Sequence, residues 1–566
     1  MVPLSQRIQG AQRLSAGALA TLRRAAPRRE RRWALALPLA IAGLVSLPIA
    51  LLLGELLTPS VEIWSHLWQT TLPRMLGNTA FLLFAVGLGT TVLGVGLAWL
   101  VTAYQFPLRS LFERALILPL AVPSFVMGFV LMATFDYAGP VQTLWRQGFG
   151  RGAWFPDIRT GHGAALALTV VLYPYVYLLA RAAFREQAAS TFEAARVMGY
   201  SRIGAFFRVA LPMARPSIAA GALLAMMEAM TDFATVRFFS FPTLSEGIVR
   251  VWEGHMNRAA ATELASLLLV VALALMLLER RLRGGARYDQ QGGRGRRVTR
   301  VRLTGAARWL AFAGCALVLG FAFVLPVGQL IAWTLGEIHG QIPGTWETVY
   351  GHYIATTFGL AAAAAAIALL LALVLAQGAR WSRSPAARAI VRLATFGYAM
   401  PGAVVAAGVL LTLAALDRAL AGLLGDGARV GLLLTGSIVG LLYAYVVRFL
   451  AVSYNSADAS LEKIKPTLTQ AARTMGAGPA RILRRVYAPL AINGLAAGAL
   501  LVFVDVAKEL PVTMLLRPFG MDTLSIWSYM LAAEGMYQAA GLPALTILVV
   551  GLPAVILLMR LGGDSR

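Results

Sequence analysis

The chain has 566 residues, of which 58% are hydrophobic and 13% charged, and carries a formal net charge of +24. Soluble domains average about 25% charged residues, so this composition sets aside a soluble globular protein, and apolar runs without strict two-residue alternation argue against an outer-membrane barrel. The positive charge is almost all arginine and flanks the apolar runs, which reads as positive-inside anchoring rather than nucleic-acid binding. One cysteine, Cys315, excludes an intrachain disulfide and a cysteine-based metal site.

In chain order, residues 1–32 are a basic tail with eight arginines before Trp33. The apolar run that comes next is too long for a signal-peptide core and is taken as a first span. About 20 apolar residues cross a bilayer as a helix. On that basis the sequence predicts about 12 spans, at 33–57, 79–103, 112–135, 164–181, 216–232, 262–279, 308–335, 354–377, 388–415, 431–450, 491–508 and 540–561. An arginine- and glycine-rich linker, 280–307, divides them into transmembrane halves 33–279 and 308–561. With both termini cytoplasmic, the arginine-poor loop 336–353 falls outside. All five histidines (His66, His162, His255, His339, His352) then lie in external loops, where solvated polar residues collect; they are read that way rather than as a metal surface.

The halves repeat. Glu193 matches Gln470, Pro212 matches Pro489, Glu228 matches Asp505 and Asp232 matches Glu509 at a shift of 277, and Pro123 matches Pro401 at 278. The predicted fold class is therefore an all-α membrane protein of two homologous six-helix halves in parallel repeat, with a substrate path at their interface.

Within each half lies a polar segment, EAARVMGYSRIGAFFRVALP from Glu193 and QAARTMGAGPARILRRVYAP from Gln470. Each reads as two short helices around a tight turn. Ser190 with Glu193, and Thr467 with Gln470, fit capping boxes. Gly199 and Gly476 supply left-handed stops. Ser201 caps the next helix, Gly478 and Pro479 open its counterpart, and Pro212 is expected to end it. An ordinary amphipathic loop would explain one copy; two copies, each before the fifth span of its half, point to a shared task.

The pattern resembles the cytoplasmic coupling loop of permeases in binding-protein-dependent ATP-driven importers. Glu193, Ala194, Ala195, Gly199, Val209, Leu211 and Pro212 carry it in segment 190–212. Ala471, Ala472, Gly476, Val486 and Pro489 carry it in segment 467–489, where Gln470 and Ala488 depart from it. The resemblance implies the type I importer permease fold. It also implies docking of these loops in the grooves of two ATP-binding subunits, and a separate periplasmic substrate-binding protein. None of the three lysines (Lys463, Lys465, Lys508) follows a glycine, so no P-loop is present. The chain is read as a transport subunit rather than an enzyme. It binds no cofactor, and ATP and Mg are used by its partner.

Glu228 and Asp232 lie four residues apart and share a helix face, as do Asp505 and Glu509. Ionisable residues within spans are costly and mark pathways. The four carboxylates are candidates to line the path and to contact a small hard cation transiently; ferric ion, which prefers oxygen donors, fits. The alternative is that they reach water or pair with Lys508, Arg237 or Arg517. Tyr173 and Tyr175, set against Tyr443 and Tyr445, are weaker candidates, since helical tyrosines usually pack with a satisfied hydroxyl. The phrases MTDFATVRFF and VFVDVAKELPVTMLLRPFGMDTLS resemble those of fused two-half ferric-iron permeases in the bacterial inner membrane. That resemblance implies ferric iron as cargo and alternating access. Fused permeases of the same layout carry thiamine. An ion-coupled secondary transporter and a membrane scaffold or sensor are the readings from other classes.

Overall fold

The computed structural model describes residues 28–57, 59–186, 197–255, 258–283, 300–340, 345–382, 385–424 and 433–561. Among the described residues, twelve helices are long and apolar enough to cross a membrane, from Ala36–Glu55 to Tyr537–Leu557. The fold class is the one expected. Helices satisfy their own backbone groups, which is why an apolar chain in lipid adopts them.

Two predicted spans differ in form. Residues 112–135 and 388–415 are not continuous helices. Each is a short helix (Arg109–Ala115, Pro385–Ala394), a 3-10 turn (Leu118–Ala121, Phe396–Ala399) and a longer helix (Ser124–Phe135, Gly402–Leu424). The break falls at the matched prolines Pro123 and Pro401. Proline pushes the preceding residue out of the helical region, and Val122 and Met400 are extended, with ψ of 118° and 132°.

The covalent halves are not the packing units. The first span, Ala36–Glu55, lies on the helices of the second half that hold residues 345–424. The Tyr443 hydroxyl donates to the Leu44 carbonyl at 2.6 Å, and Gly408 lets the helix backbone approach Pro48. Reciprocally, the seventh span, Gly305–Ile338, lays Phe312 against Phe112 and Trp333 against Phe129 of the first half. The two apolar cores accordingly mix residues of both halves. Close helix crossings elsewhere use glycine, as at Gly94 and Gly221 against Val176, the small-residue packing that lipid favours. A two-residue parallel pairing, Tyr104–Gln105 with Val301–Arg302, ties the end of the linker to the first half.

Candidate coupling segments and translocation interface

In the first polar segment, Glu193, Ala194 and Ala195 lie outside the described residues, as do Ser190 and Thr191. The turn beyond them has the expected form. Gly199 has φ +85°, and the Ser201 side chain accepts from the Gly204 N–H at 3.0 Å to cap the helix at Arg202. In the second segment the helix Pro466–Thr474 ends at Gly476, φ +75°. The Ala477 N–H reaches back to the Ala472 carbonyl at 3.0 Å, closing the Schellman turn. Gln470 and Ala471 are exposed, while Ala472 packs on the core. Thr469 and Tyr487 share a hydroxyl hydrogen bond of 3.0 Å that joins the two short helices.

Two local expectations are corrected. Thr467 is not an N-cap, because the helix begins one residue earlier at Pro466; proline is favoured at a first helical position, where its missing N–H costs nothing. Nor does Pro212 end a helix. From Ile203 to Thr231 and from Ala480 to Ala507 the chain runs on as a single helical rod, and Leu211 and Pro212 lie inside the first, as Pro489 lies inside the second.

The reason is a π-helical turn just before each proline, at Phe206–Ala210 and Leu483–Tyr487. A proline clashes with the carbonyl four residues back, here Arg208 or Arg485, and a wider turn relieves that clash. The π turn at Gly320–Val324, ahead of Pro326, obeys the same rule. Replacing Pro212 and Pro489 by alanine is expected to let both π turns revert to α. The short helices would then rotate against the spans by about 100° of helical phase, the angle of one residue, which cysteine crosslinking from Ala205, and separately from Ile482, to the neighbouring helix of its own half would register.

Apolar side chains stand exposed around both turns. Val197, Met198, Ile203 and Phe207 are more than half exposed in the first, and Met475 in the second. At the base of the first segment, Glu113 gathers Arg109 (2.5 Å), Arg185 (3.7 Å) and Arg181 (4.0 Å). Burial lowers the Arg109 pKa below its ordinary value against the opposing pull of Glu113. At the equivalent positions of the second half stand Asp458 and Glu462, with Arg380 facing Asp458. The two bases therefore have reversed polarity.

At the other end of the rods, the four candidate carboxylates divide into two kinds. Asp232 and Glu509 are buried caps. Asp232 accepts from the Thr235 N–H (2.7 Å), the Thr235 hydroxyl (2.8 Å) and the Ser124 hydroxyl. Glu509 accepts from the Val512 N–H (2.9 Å) and faces Arg448 Nη1 at 3.5 Å. Each thus closes a short helix after a rod has ended, Ala234–Phe238 or Pro511–Leu516, a use that carboxylates serve well because they accept orphan N–H groups.

Glu228 and Asp505 are only half-buried. Asp505 pairs with Lys508 at 3.0 Å, and Glu228 lies within electrostatic reach of Lys508, Asp505 and Arg448 across the interface. The four candidates thus differ in their surroundings, and among the described residues no group of three or more His, Cys, Asp or Glu stands close enough to hold a metal ion. The inner pair faces the interface, and the outer pair is consumed by capping.

The tyrosines are packing residues. Tyr173 is fully buried and donates to the Leu116 carbonyl at 2.8 Å, steadying the broken third span. Tyr443 serves the exchanged first span, and Tyr445 bonds to Thr513 at 2.6 Å. Their pairing by sequence is also corrected. The fourth and tenth spans start at Gly161 and Ile438, which keeps the 277 shift, so Tyr443 stands two helical turns away from the position equivalent to Tyr173. The sequence reading passed over Ser124, Gly402 and Arg448. Their signal was available, since Ser124 and Gly402 directly follow the matched prolines and so stand at equivalent positions. On the far face, Arg74, Arg237, Ser240, Phe241, Glu246 and Arg250 line a cavity of about 350 Å³.

Comparison with known proteins agrees with this layout. Residues 91–284 match the family model of binding-protein-dependent transport system inner membrane components. The Fe(3+)-transport system permease protein FbpB 2 of Haemophilus influenzae is 27% identical over 510 residues, covering 88% of this chain and 92% of that protein. The ferric transport system permease protein FbpB of Actinobacillus pleuropneumoniae is 23% identical over 538 residues, 91% of this chain and 74% of its own. The sulfate transport system permease protein CysT of Escherichia coli is 26% identical over 244 residues, 41% of this chain and 83% of that one. The chain is thus similar over residues 91–284 to binding-protein-dependent transport system inner membrane components and over nearly its whole length to a fused Fe(3+)-transport permease, and its described residues hold twelve helices long and apolar enough to cross a membrane.

Proposed function

We propose that this chain is the membrane subunit of an ATP-driven importer that carries ferric iron by alternating access. The observation that supports this most is its match, over nearly its whole length, to an Fe(3+)-transport permease. The coupling segments fit a docking role: each presents exposed apolar side chains around a turn held by a left-handed glycine. Each segment is also continuous with a fifth span of its half. A continuous rod transmits a push at its base to its far end, where Asp232 and Glu509 cap the next helices.

In this reading two copies of a separate ATP-hydrolysing subunit take the two segments, using ATP and Mg, and a periplasmic binding protein delivers cargo to the opposite face. The termini, the linker and the coupling segments lie on the cytoplasmic side, as the arginine distribution favours. The ATPase contact falls to Glu193, Ala194, Ala195 and Gly199 in one segment and to Gln470, Ala471, Ala472 and Gly476 in the other. In the membrane, the carboxylates left facing the interface are Glu228 and Asp505. Oxygen donors suit a hard cation, and no covalent step is required of the chain.

The test is uptake of radiolabelled ferric iron by cells with and without the chain, with labelled sulfate and thiamine run in parallel. Loss of iron uptake alone is the expected result. Loss of sulfate or thiamine uptake with iron uptake intact would overturn the cargo while leaving the importer architecture.

A further inference from the structure

The cavity on the face opposite the coupling segments is built from charge. Arg74, Arg237, Ser240, Glu246 and Arg250 surround a space of about 350 Å³, with Phe241 and Pro242 as the apolar part of its wall. Three arginines against Glu246 leave that wall a formal charge of +2, or +1 once Glu253, the partner of Arg237 at 2.8 Å, is counted. Glu246 is buried, and Arg250 takes both of its carboxylate oxygens, at 2.8 and 2.5 Å. That fork orients a guanidinium whose side chain is 48% exposed. Arg74 stands exposed in the first turn of its span and makes no ion pair or hydrogen bond among the described residues. Two arginines are thus held by carboxylates, and the third is left uncompensated.

The matching positions of the second half are different. Thr-Leu-Ser at 243–245 recurs at 523–525, and the two runs are held alike. The Leu244 N–H donates to the Thr79 hydroxyl at 3.0 Å, and the Leu524 N–H donates to the Thr357 hydroxyl at 2.9 Å. In that register Arg74 corresponds to His352, Arg237 to Arg517, Glu246 to Ile526 and Arg250 to Met530. Arg517 is ion-paired to Asp522, which stands where the first half has Pro242. Ser240, at φ +52°, occupies the left-handed position that Gly520 fills at φ +77°. Serine is held there at a conformational cost that glycine avoids, and its exposed hydroxyl has no hydrogen-bond partner among the described residues. Positive charge is cancelled in one half and kept in the other.

We propose that this cavity receives an acidic side chain of the periplasmic binding protein and thereby selects one of the two orientations that a pseudo-twofold surface allows its partner. The inference rests on the importer reading above but not on its cargo. Small-molecule cavities are lined mainly by apolar and aromatic side chains. This wall is mostly charged and open to one side, and arginine is enriched at protein interfaces. A carboxylate entering the cavity meets Arg74 without a competing partner, beside the oriented guanidinium of Arg250 and the free hydroxyl of Ser240. The same charge on an approaching partner is steered toward the first half and gains nothing from the self-paired Arg517 of the second. The seat is also joined to the first rod. Ser245, on the segment that forms the wall, donates its hydroxyl to the Asp232 carbonyl at 2.8 Å, so a load placed here bears on the residue that caps the rod's far end.

The full chain is held in lipid nanodiscs, and the probe is the periplasmic protein whose deletion abolishes the same uptake as deletion of the chain. Its association is followed by biolayer interferometry. Arg74→Glu is expected to slow association about tenfold and to flatten its dependence on sodium chloride. His352→Glu, the same change at the matching position of the second half, is expected to leave association within about twofold. Arg74 is exposed and unpaired, so its replacement leaves folding intact, which the melting temperature of the chain in nanodiscs checks. Association of Arg74→Glu within about twofold of the unaltered chain overturns the proposal, as does equal slowing by His352→Glu or the absence of binding to the unaltered chain. Inorganic phosphate, titrated by calorimetry, tests the other occupant. Phosphate binding that is lost in Arg74→Glu while protein association is unchanged would make the cavity a small-anion site and overturn the proposal. Uptake that depends on the chain, together with docking insensitive to Arg74→Glu, removes this inference and leaves the importer reading standing; a chain on which no uptake depends removes both.

Discussion

Replacing Gly199 and Gly476 together by valine is expected to lower transport about a hundredfold while leaving the chain inserted in the membrane. Both glycines sit at positive φ, +85° and +75°, and a Cβ at either would meet nothing within 4 Å. The penalty is therefore conformational rather than steric against a neighbour. An L-residue in the left-handed region costs about 1–2 kcal/mol, and a β-branched one is a genuine outlier there. At ~1.4 kcal/mol per tenfold, each turn loses on the order of tenfold in its docking-competent population. Because both segments belong to one machine, the double variant is expected to lose about a hundredfold in iron uptake. Membrane abundance, set by the spans, stays unchanged. Each single variant falls between, and alanine is milder than valine at the same site. Uptake and ATPase co-purification measured on the same membranes check this. Normal uptake in the double valine variant would remove the coupling role from these turns.

Gly402→Ala is expected to be clearly more destabilising than Ser124→Ala, the matching substitution in the first half. A Cβ at Gly402 would overlap Arg448 Nη1 and stand 3.0 Å from both Glu509 Oε1 and Pro511 Cβ. The guanidinium must then withdraw from Glu509, leaving a buried carboxylate with only the Val512 N–H as partner. Removing one partner of a buried ion pair costs about 3–5 kcal/mol. The first half solves the same problem without an ion pair. Its equivalent of Gly402 is Ser124, whose hydroxyl donates to Asp232, and Thr235 supplies two further bonds. Ser124→Ala removes one bond of three and is expected to cost about 1 kcal/mol. Thermal unfolding of both variants in detergent tests the asymmetry directly. Adding Glu509→Gln to Gly402→Ala should recover part of the loss, because a neutral amide no longer requires the guanidinium. Equal melting temperatures for Gly402→Ala and Ser124→Ala would show that the Arg448–Glu509 pair does not hold the end of the rod.

The contrast between these two sites also shows how far the sequence could be read. The class of fold, the span count, the internal duplication and the turn at each coupling segment were all legible, because each rests on local physics. Twenty apolar residues in lipid must form a helix, and a glycine at a helix end must take the left-handed conformation, whatever lies elsewhere in the chain. The division of labour among the four carboxylates was not legible. Glu228 and Asp232 share one face of a predicted helix, yet the helix ends between them and one becomes a cap while the other faces the interface. That outcome depends on Pro123 and Ser124, more than 100 residues away. The exchange of the first and seventh spans between the halves was hidden for the same reason: an apolar helix carries no mark of which apolar surface it will cover. Residues within a few positions of one another determined the elements and their repeat. Only the tertiary structure decided which charges are taken up by caps and which stay half-buried at the interface, since the energy of a buried charge is set by partners that the chain brings from far away.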